Sequence, residues 1–164
     1  LHVSGAVEQD CSIKVVEKGE LKLDLLGKYT HTLDAKNRVF FPAKFREDLG
    51  SPIIITVNVD GCLSAYSLTE WSNYTEKLKE LPKTQVRDIT RFICGNAQKS
   101  VPDGQGRVML SKDLVEYAGL KEGVTFIGCG DRVELWASES AQIPDMYDAE
   151  KVANIRDLML EYGL

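Results

Sequence analysis

Short runs rich in β-branched and aromatic residues alternate along this chain with short runs of turn-forming residues. Residues 29–33 and 38–41 are two such β-rich runs, and the turn-prone segment 34–37 lies between them. This spacing predicts a β-hairpin. Pro42 follows and suits the first position of a short helix, because its fixed φ is compatible with the helix and its missing N–H is not needed there. Gly50 lies where that helix would end.

The same pattern occurs twice along the chain. Residues 28–46 align with residues 97–115 at an offset of 69 residues, and residues 63–66 align with residues 133–136 at an offset of 70. One inserted residue over so long a match is typical of a structural unit that has been duplicated. The sequence therefore predicts two copies of one fold element within a single chain.

Each copy is predicted to contain a strand, a turn, a strand, a short helix and a hairpin. In the first copy the hairpin turns at Asp60-Gly61, a dipeptide typical of tight β-turns. In the second copy the short helix starts at Ser111 and stops at Gly119, and the hairpin comprises residues 124–127 and 132–136. Two units of four short strands would close a small barrel that neither could close alone. The predicted fold class is α+β and β-dominated, a barrel of two repeated units with pseudo-twofold symmetry.

Three further segments are predicted to be helical. Ser67 with Glu70 is a capping-box pattern, and apolar residues follow at helical spacing until Pro82. A second helix would link the units, and an amphipathic helix would follow Pro144. The chain then divides into an extension or tag of unknown role over residues 1–24, a first repeat with its helix over 25–82, a linking helix over 83–96, a second repeat over 97–140, and a C-terminal helical acidic tail over 141–164.

Charge is distributed unevenly, and this changes what the composition implies. The 164 residues are 43% hydrophobic and 27% charged, as in ordinary folded domains, and the net charge of −5 alone disfavours nucleic acid as a partner. Residues 28–46, however, hold five basic residues and one acidic residue, whereas residues 131–164 hold three basic and eight acidic residues. The protein can therefore present a basic working face and an acidic tail. A membrane-spanning helix is not expected, because no apolar run approaches the ~20 residues that it needs.

No motif for catalysis or metal binding is visible in the sequence. The four cysteines lie at least 32 residues apart, which is too far for a zinc knuckle or a redox dithiol. Because no signal peptide precedes them, we expect free, mostly buried thiols in a reducing cytoplasm. His31 lies in a strand pattern without a nucleophile as partner, which favours a structural role. We therefore expect no enzyme activity, no cofactor, no metal and no small-molecule substrate.

One motif stands out because it occurs once in each unit at the same turn. This motif is D-x-x-x-R, from Asp34 to Arg38 and again from Asp103 to Arg107. In a local interpretation, each Asp closes an Asx turn and pairs with the Arg that follows it. In a functional interpretation, the turn holds a guanidinium at the rim of the barrel, where it can reach phosphate or the O6 and N7 edge of guanine. The residues alone leave both interpretations open.

Three stretches of the chain resemble the MraZ family of bacterial transcriptional regulators. They are LGKYTHTLDAKNRVFFPAKFREDLG, CGNAQKSVPDGQGRVMLSKDL and VELW, and the resemblance covers most of the chain from Leu25 onward. The resemblance implies an AbrB-like, double-split β-barrel of the swapped-hairpin kind and a ring-shaped homo-oligomer. It also implies a cytoplasmic, nucleoid-associated protein that binds double-stranded DNA at short repeated elements upstream of the division and cell-wall gene cluster.

By motif position, the resemblance places DNA contacts on the arginines of the two turns. The candidate DNA-binding residues are Lys36, Asn37, Arg38, Gln105 and Arg107, and the residues that shape the turns are Asp34, Asp103 and Gly106. The family usually has glycine where this chain has Asn37. Because Asn also tolerates positive φ, we expect an intact fold with altered turn dynamics and base preference.

Two other classes of function compete with a sequence-specific DNA-binding regulator. One is an oligomeric scaffold that docks a partner protein through Trp71, Trp136 or the C-terminal helix, with arginines that are only structural. The other is an enzyme, which ranks third because no nucleophile and base pair is visible. The side chains predicted to lie in the core, rather than to stack on bases, are those of Phe40, Phe41, Phe45 and Phe92.

Overall fold

Two copies of one strand pattern share a single antiparallel sheet in this fold. The computed structural model of the chain describes residues 13–17 and 20–164, with side chains from residue 24 onward. The strands are β1 (Ile13–Glu17), β2 (Glu20–Leu23), β3 (Lys28–Thr32), β4 (Arg38–Phe40), β5 (Ile53–Val57), β6 (Leu63–Tyr66), β7 (Gln98–Ser100), β8 (Arg107–Met109), β9 (Gly123–Gly128) and β10 (Val133–Ala137). The helices are α1 (Ala43–Leu49), α2 (Leu68–Lys79), α3 (Lys83–Gly95), α4 (Lys112–Tyr117) and α5 (Ala149–Glu161). These elements confirm the α+β class.

The two units exchange their first strands. The six-stranded sheet has the order β3-β9-β10-β6-β5-β7, so that β3 of the first unit pairs with β9 of the second, and β7 of the second unit pairs with β5 of the first. At the centre, β6 and β10 pair antiparallel about Ser64 and Glu134. Each unit therefore completes the other's part of the sheet, which explains why one copy could not form it alone.

The hairpin predicted from residues 29–41 is wrong, although both strands exist. Instead of pairing along their length, β3 and β4 meet in a single bridge between Leu33 and Val39. Strand β4 pairs with β8 of the other unit, and Val39 lies directly opposite Val108. Both valines are almost completely buried. This long-range contact between apolar side chains competes successfully with the local pairing that the turn suggested.

The predicted closed barrel differs from the described structure. Strands β3 and β7 form the two edges of the six-stranded sheet. They do not pair with each other in the part of the chain that the structure describes, so the sheet does not close into a barrel. Strands β4 and β8 form a separate two-stranded ribbon. The pseudo-twofold arrangement is retained, because the ribbon register pairs Arg38 with Met109 and Phe40 with Arg107.

A single apolar core unites the large sheet, the ribbon and the short helices α1 and α4. Phe41 and Phe45 are buried in it as predicted, at 1% and 0% exposure. The same prediction is wrong for Phe40, which is 46% exposed, and for Phe92, which is 36% exposed. Phe40 lies between two buried neighbours on a strand, and successive strand side chains point to opposite faces. It therefore points away from the core.

The predicted helices are present, and their caps agree with the sequence pattern. The Ser67 hydroxyl accepts a hydrogen bond from the backbone N–H of Glu70 at 3.1 Å, and the Ser111 hydroxyl accepts one from Leu114 at 3.3 Å. Helix α1 begins one residue after Pro42, which is its N-cap. The Thr56 hydroxyl donates to the carbonyl oxygen of Ile93, which holds helix α3 against strand β5.

The C-terminal segment forms a helix, α5, that buries none of its residues. No described helix is long and apolar enough to cross a membrane. Most of the predicted extension 1–24, including Cys11, lies outside the residues whose side chains are described.

Of the described cysteines, all are free, but only Cys62 is buried, whereas Cys129 is half-buried and Cys94 is exposed. The expectation of mostly buried thiols is therefore wrong for the described cysteines.

Candidate nucleic-acid interface

The first D-x-x-x-R turn is held by the carboxylate of Asp34. Its Oδ1 accepts hydrogen bonds from the backbone N–H groups of Lys36 and Arg38, both at 2.9 Å. Its Oδ2 accepts from Nε of Arg38 at 2.8 Å. The backbone closes the same turn, because Asn37 donates to the carbonyl oxygen of Asp34 at 3.0 Å. One carboxylate thus shapes the turn and orients the arginine that follows it.

The second turn repeats this geometry. Oδ1 of Asp103 accepts from the backbone N–H groups of Gln105 and Arg107 at 2.9 Å, and Oδ2 accepts from Nε of Arg107 at 2.9 Å. Gly106 donates to the carbonyl oxygen of Asp103 at 2.9 Å. The local interpretation of the motif is therefore confirmed at both turns, and the two turns are copies in structure as well as in sequence.

Both turns need one residue with positive φ. Asn37 has φ of 58°, and Gly106, at the same place in the second turn, has φ of 81°. Glycine adopts this region without steric cost, and Asn is one of the few other residues that adopt it readily. The replacement of the usual glycine by Asn37 is thus compatible with the turn.

The hydrogen bonds to the turn carboxylates lower their pKa values. For Asp34 the largest cause is the backbone N–H of Arg38, and for Asp103 it is the backbone N–H of Arg107; both pKa values lie below the ordinary 3.8. A carboxylate with a lowered native pKa stabilises the fold above its ordinary pKa, and this contribution is lost as the pH falls through the lowered value. At neutral pH both turns therefore contain an ionised Asp.

Each turn arginine keeps hydrogen-bond donors that its Asp partner does not engage. The carboxylate engages only Nε, and no described residue accepts a hydrogen bond from the Nη atoms of Arg38 or Arg107. The side chains are 29% and 24% exposed. A guanidinium has five N–H donors, so the four on the Nη atoms are available to an outside acceptor. The Asp thus works as a positioning group for the guanidinium of a partly exposed arginine.

The two arginines share one face of the β4–β8 ribbon with two apolar side chains. We call this the ribbon face; its residues are Arg38, Phe40, Arg107 and Met109. Strand alternation places it opposite the buried valines, and Phe40 and Met109 are 46% and 63% exposed. The register makes the arginines diagonal neighbours, a relation that usually separates side chains by about 7–8 Å. We did not place Phe40 and Met109 on this face from the sequence, although the alternation of strand side chains between two faces predicts their position.

A third arginine, Arg46 of helix α1, lies against the second turn. Its Nε donates to the carbonyl oxygen of Phe41 at 2.9 Å. A Cβ atom added to Gly106 would lie 2.5 Å from Cζ of Arg46, so the guanidinium occupies the space that any larger residue at position 106 would need. We did not expect this contact from the sequence. Position 46 corresponds to Val115 in the second repeat, so the two repeats have no shared residue type there that would indicate a functional role.

Arg46 also changes the charge of the second turn. In the first turn, Asp34 is accompanied by Lys36 and Arg38, whereas the second turn has the uncharged Gln105 where the first has Lys36. The guanidinium of Arg46 at Gly106 restores the missing positive charge. Each turn region therefore holds two cations and one carboxylate, provided by different elements of the fold.

Other candidate residues are less available for contacts. Trp136 is buried, and its Nε1 donates to Oε2 of Glu134 at 3.0 Å, so it offers no docking surface. Trp71 is half-buried beside the rings of Tyr66 and Tyr74. His31 packs against the rings of Phe40 and Phe126. No group of three metal-ligating side chains is found within the part of the chain that carries described side chains.

Comparison with known proteins places the chain in a family. The family model described as "MraZ protein, putative antitoxin-like" matches residues 25–91 and 93–141. The chain is 47% identical over 117 residues to the transcriptional regulator MraZ of Caldanaerobacter subterraneus subsp. tengcongensis, covering 70% of this chain and 82% of the relative. It is 46% identical over 132 residues to the protein of the same name from Acetivibrio thermocellus, covering 77% and 92%. For that of Caldicellulosiruptor saccharolyticus the identity is 41% over 142 residues, covering 85% and 99%. The chain therefore belongs to the MraZ family.

Proposed function

We propose that this protein is a DNA-binding transcriptional regulator whose ribbon face and adjoining turns contact the double helix. The observation that carries the proposal is the repeated turn, in which a carboxylate orients the Nε of a partly exposed arginine and no described residue accepts from its Nη atoms. The names of the curated relatives, which are transcriptional regulators, support the same function.

Within this proposal, each turn residue has a distinct role. Arg38 and Arg107 present planar pairs of N–H donors that suit phosphate oxygens or the O6 and N7 atoms of guanine. Lys36, exposed beside the first turn, suits a phosphate as a point charge. The exposed apolar side chains of Phe40 and Met109 suit thymine methyl groups or deoxyribose. Asn37 and Gln105 lie at the tips of the turns, where their amides can reach the duplex.

One chain offers few contacts, so we further propose a homo-oligomeric ring that binds short repeated DNA elements upstream of the division and cell-wall gene cluster. A few phosphate contacts give weak binding at physiological salt. A ring presents several ribbon faces in series, and simultaneous contacts with repeats at a matching spacing multiply the affinity. Helix α5, which contains no buried residue, is available for contacts between subunits. Native mass spectrometry, with and without a DNA fragment from upstream of the protein's own gene, tests the ring directly.

The proposed role requires neither catalysis nor a bound cofactor, because binding DNA at a defined place is sufficient for regulation. We place the protein in the cytoplasm at the nucleoid, where its DNA would lie. The swapped-hairpin, AbrB-like topology stays a prediction of the family resemblance, and the described six-stranded sheet is open.

Substitution of the two turn arginines tests DNA binding. Arg38→Ala and Arg107→Ala should each weaken binding to a fluorescent DNA fragment from upstream of the protein's own gene by about 1–3 kcal/mol. Arg91→Ala, an exposed arginine of helix α3, is the matched control and should bind normally. Equal affinity of the wild type and both turn variants, with unchanged melting temperatures, would contradict the proposal.

A scaffold that docks another protein is the second candidate, and helix α5 favours it. Its exposed apolar side chains include Val152, Ile155 and Met159, which recur at helical spacing. Salt dependence separates the two functions, because release of counterions from DNA makes affinity fall steeply with salt. A DNA affinity that is weak and insensitive to salt would favour the scaffold.

A further inference from the structure

A polar cavity lies between strands β3 and β9 and the segment that leads into helix α5. Its volume is about 310 Å³, which is at the lower end of the range for small-molecule sites. The residues that line it and bear on its chemistry are Lys28, Thr30, Thr125, Ser138, Asp145 and Lys151. None of them belongs to the ribbon face or to the D-x-x-x-R turns, so the cavity is a separate feature of the molecule.

Three of these residues form a chain of hydroxyl groups. Oγ1 of Thr30 and Oγ1 of Thr125 lie 3.1 Å apart, and Oγ1 of Thr125 lies 2.9 Å from Oγ of Ser138. Thr125 is 5% exposed, so the middle of the chain is fixed by burial. Three hydroxyl hydrogens supply two hydrogen bonds, which leaves one hydrogen for an acceptor in the cavity.

The chain of hydroxyls depends on a glycine. A Cβ atom added to Gly123 would lie 2.7 Å from Oγ and 2.9 Å from Cβ of Ser138. Gly123 has no positive φ that would otherwise require glycine. Its missing side chain therefore lets Ser138 approach Thr125, which is what the hydroxyl chain requires.

Two lysines supply the charge of the cavity. Nζ of Lys151 donates to the carbonyl oxygen of Ala141 at 2.7 Å, which holds the ammonium group in place and leaves two of its three N–H donors. Lys28 is exposed and forms no ion pair with a described residue. The single carboxylate in the lining, Asp145, has Oδ1 engaged by the backbone N–H of Tyr147 at 3.0 Å. The lining is thus net positive and rich in donors, within a protein whose net charge is −5.

We propose that this cavity binds a small phosphorylated metabolite. The phosphate group of a phosphate monoester is mostly a dianion at neutral pH, and its acceptor oxygens match the lysine donors and the spare hydroxyl hydrogen. Asp145 disfavours a bare phosphate but accepts from a hydroxyl group, so a sugar phosphate fits the lining better than inorganic phosphate. The ligand would contact strand β3 through Lys28 and Thr30 and the start of helix α5 through Lys151 at once.

Calorimetric titration of the full-length protein without DNA tests the site. We expect glucose 6-phosphate to bind in the millimolar range or tighter, inorganic phosphate to bind more weakly, and glucose to give no saturable heat. Lys28→Gln and Lys151→Gln should each reduce the affinity for glucose 6-phosphate about tenfold, since each removes a charged hydrogen bond. Lys121→Gln, an exposed lysine outside the cavity, should leave the affinity unchanged.

A third variant guards against misfolding as the reason for lost binding. Thr125→Val keeps the shape of the buried side chain and removes its hydroxyl; an unchanged melting temperature with weaker binding of glucose 6-phosphate supports the site. Absence of saturable binding by the wild type to either phosphate overturns the proposal. It is also overturned if the two lysine variants lose affinity for DNA while no sugar phosphate binds, because the cavity would then receive a backbone phosphate of the duplex.

Discussion

The two D-x-x-x-R turns have the same hydrogen bonds but obtain their positive charge in different ways. In both, one Asp accepts two backbone N–H groups and one guanidinium Nε at 2.8–2.9 Å. The first turn has Lys36 within its own sequence, whereas the second relies on Arg46 from helix α1. The backbone geometry is thus a local property of each turn, and the charge of the second turn is a property of the fold.

The difference also explains why the two turns tolerate different residues at the position with positive φ. Asn37 is half-buried and carries a Cβ atom, whereas Gly106 is buried and lies against the guanidinium of Arg46. Asparagine satisfies the backbone requirement of the first turn. In the second turn, a side chain at position 106 would also have to displace the guanidinium of Arg46.

The largest effect is expected from Gly106→Ala. The new Cβ would lie 2.5 Å from Cζ of Arg46, and alanine at φ of 81° is strained, so the free energy of unfolding should fall by about 1–3 kcal/mol. Thermal or denaturant unfolding measures this loss. Gly61→Ala is the matched control, because Gly61 has a similar φ of 85° and no atom lies within 4 Å of its added Cβ. Equal losses for both variants would show that the contact with Arg46 has no effect.

A smaller effect is expected when the extra cation of each turn is removed. Lys36→Ala and Arg46→Ala should each lower the slope of log affinity for DNA against log salt by about one, since each removes one phosphate contact. Fluorescence anisotropy at several salt concentrations measures the slope. If only Lys36→Ala changes it, Arg46 is a structural residue of the second turn and the two turns are not equivalent in charge.

Weaker still should be the loss caused by Asp34→Asn or Asp103→Asn. The amide keeps an oxygen that can accept the two backbone N–H groups, but its NH2 group cannot accept from the Arg Nε. The guanidinium then loses its orientation, and DNA affinity should fall about twofold to threefold, and by the same factor at both turns. A loss confined to one turn would contradict their equivalence. Since both wild-type pKa values lie below 3.8, this orienting effect should persist in the wild type down to about that pH.

The smallest effect is expected from Asn37→Gly, which introduces the residue usual in the family. Glycine adopts φ of 58° without strain but increases the entropy of the unfolded chain, so the free energy of unfolding should change by no more than about 0.5 kcal/mol. Hydrogen exchange at the N–H of Asn37 or its replacement reports on turn dynamics. A destabilisation comparable with that of Gly106→Ala would show that the side chain of Asn37 makes a contact of its own.

Much of the candidate site could be predicted because the motif is local. Asp34 and Arg38 are close in sequence, so the hydrogen bonds between them follow from turn chemistry that a reader of the sequence can recognise. The contact of Arg46 with Gly106 joins residues 60 positions apart and has no counterpart in the other repeat. Exposure of Phe40 was also mispredicted, because an aromatic residue among apolar neighbours resembles a core residue until the strand's two faces are assigned.

Helix caps, turns and the duplication of the unit were readable in the chain itself, since each depends on residues within a few positions of one another or on a repeated pattern. The hairpins β5–β6 and β9–β10 were also predicted correctly. The partners of β3 and β4 were not, because each strand had equally good partners nearby and in the other repeat. Burial of Val39 against Val108, and of the exchanged strands against one core, selects the distant partners. That choice depends on the summed contacts of the whole fold, which is why it places both arginines on one ribbon face although they lie 69 residues apart in the chain.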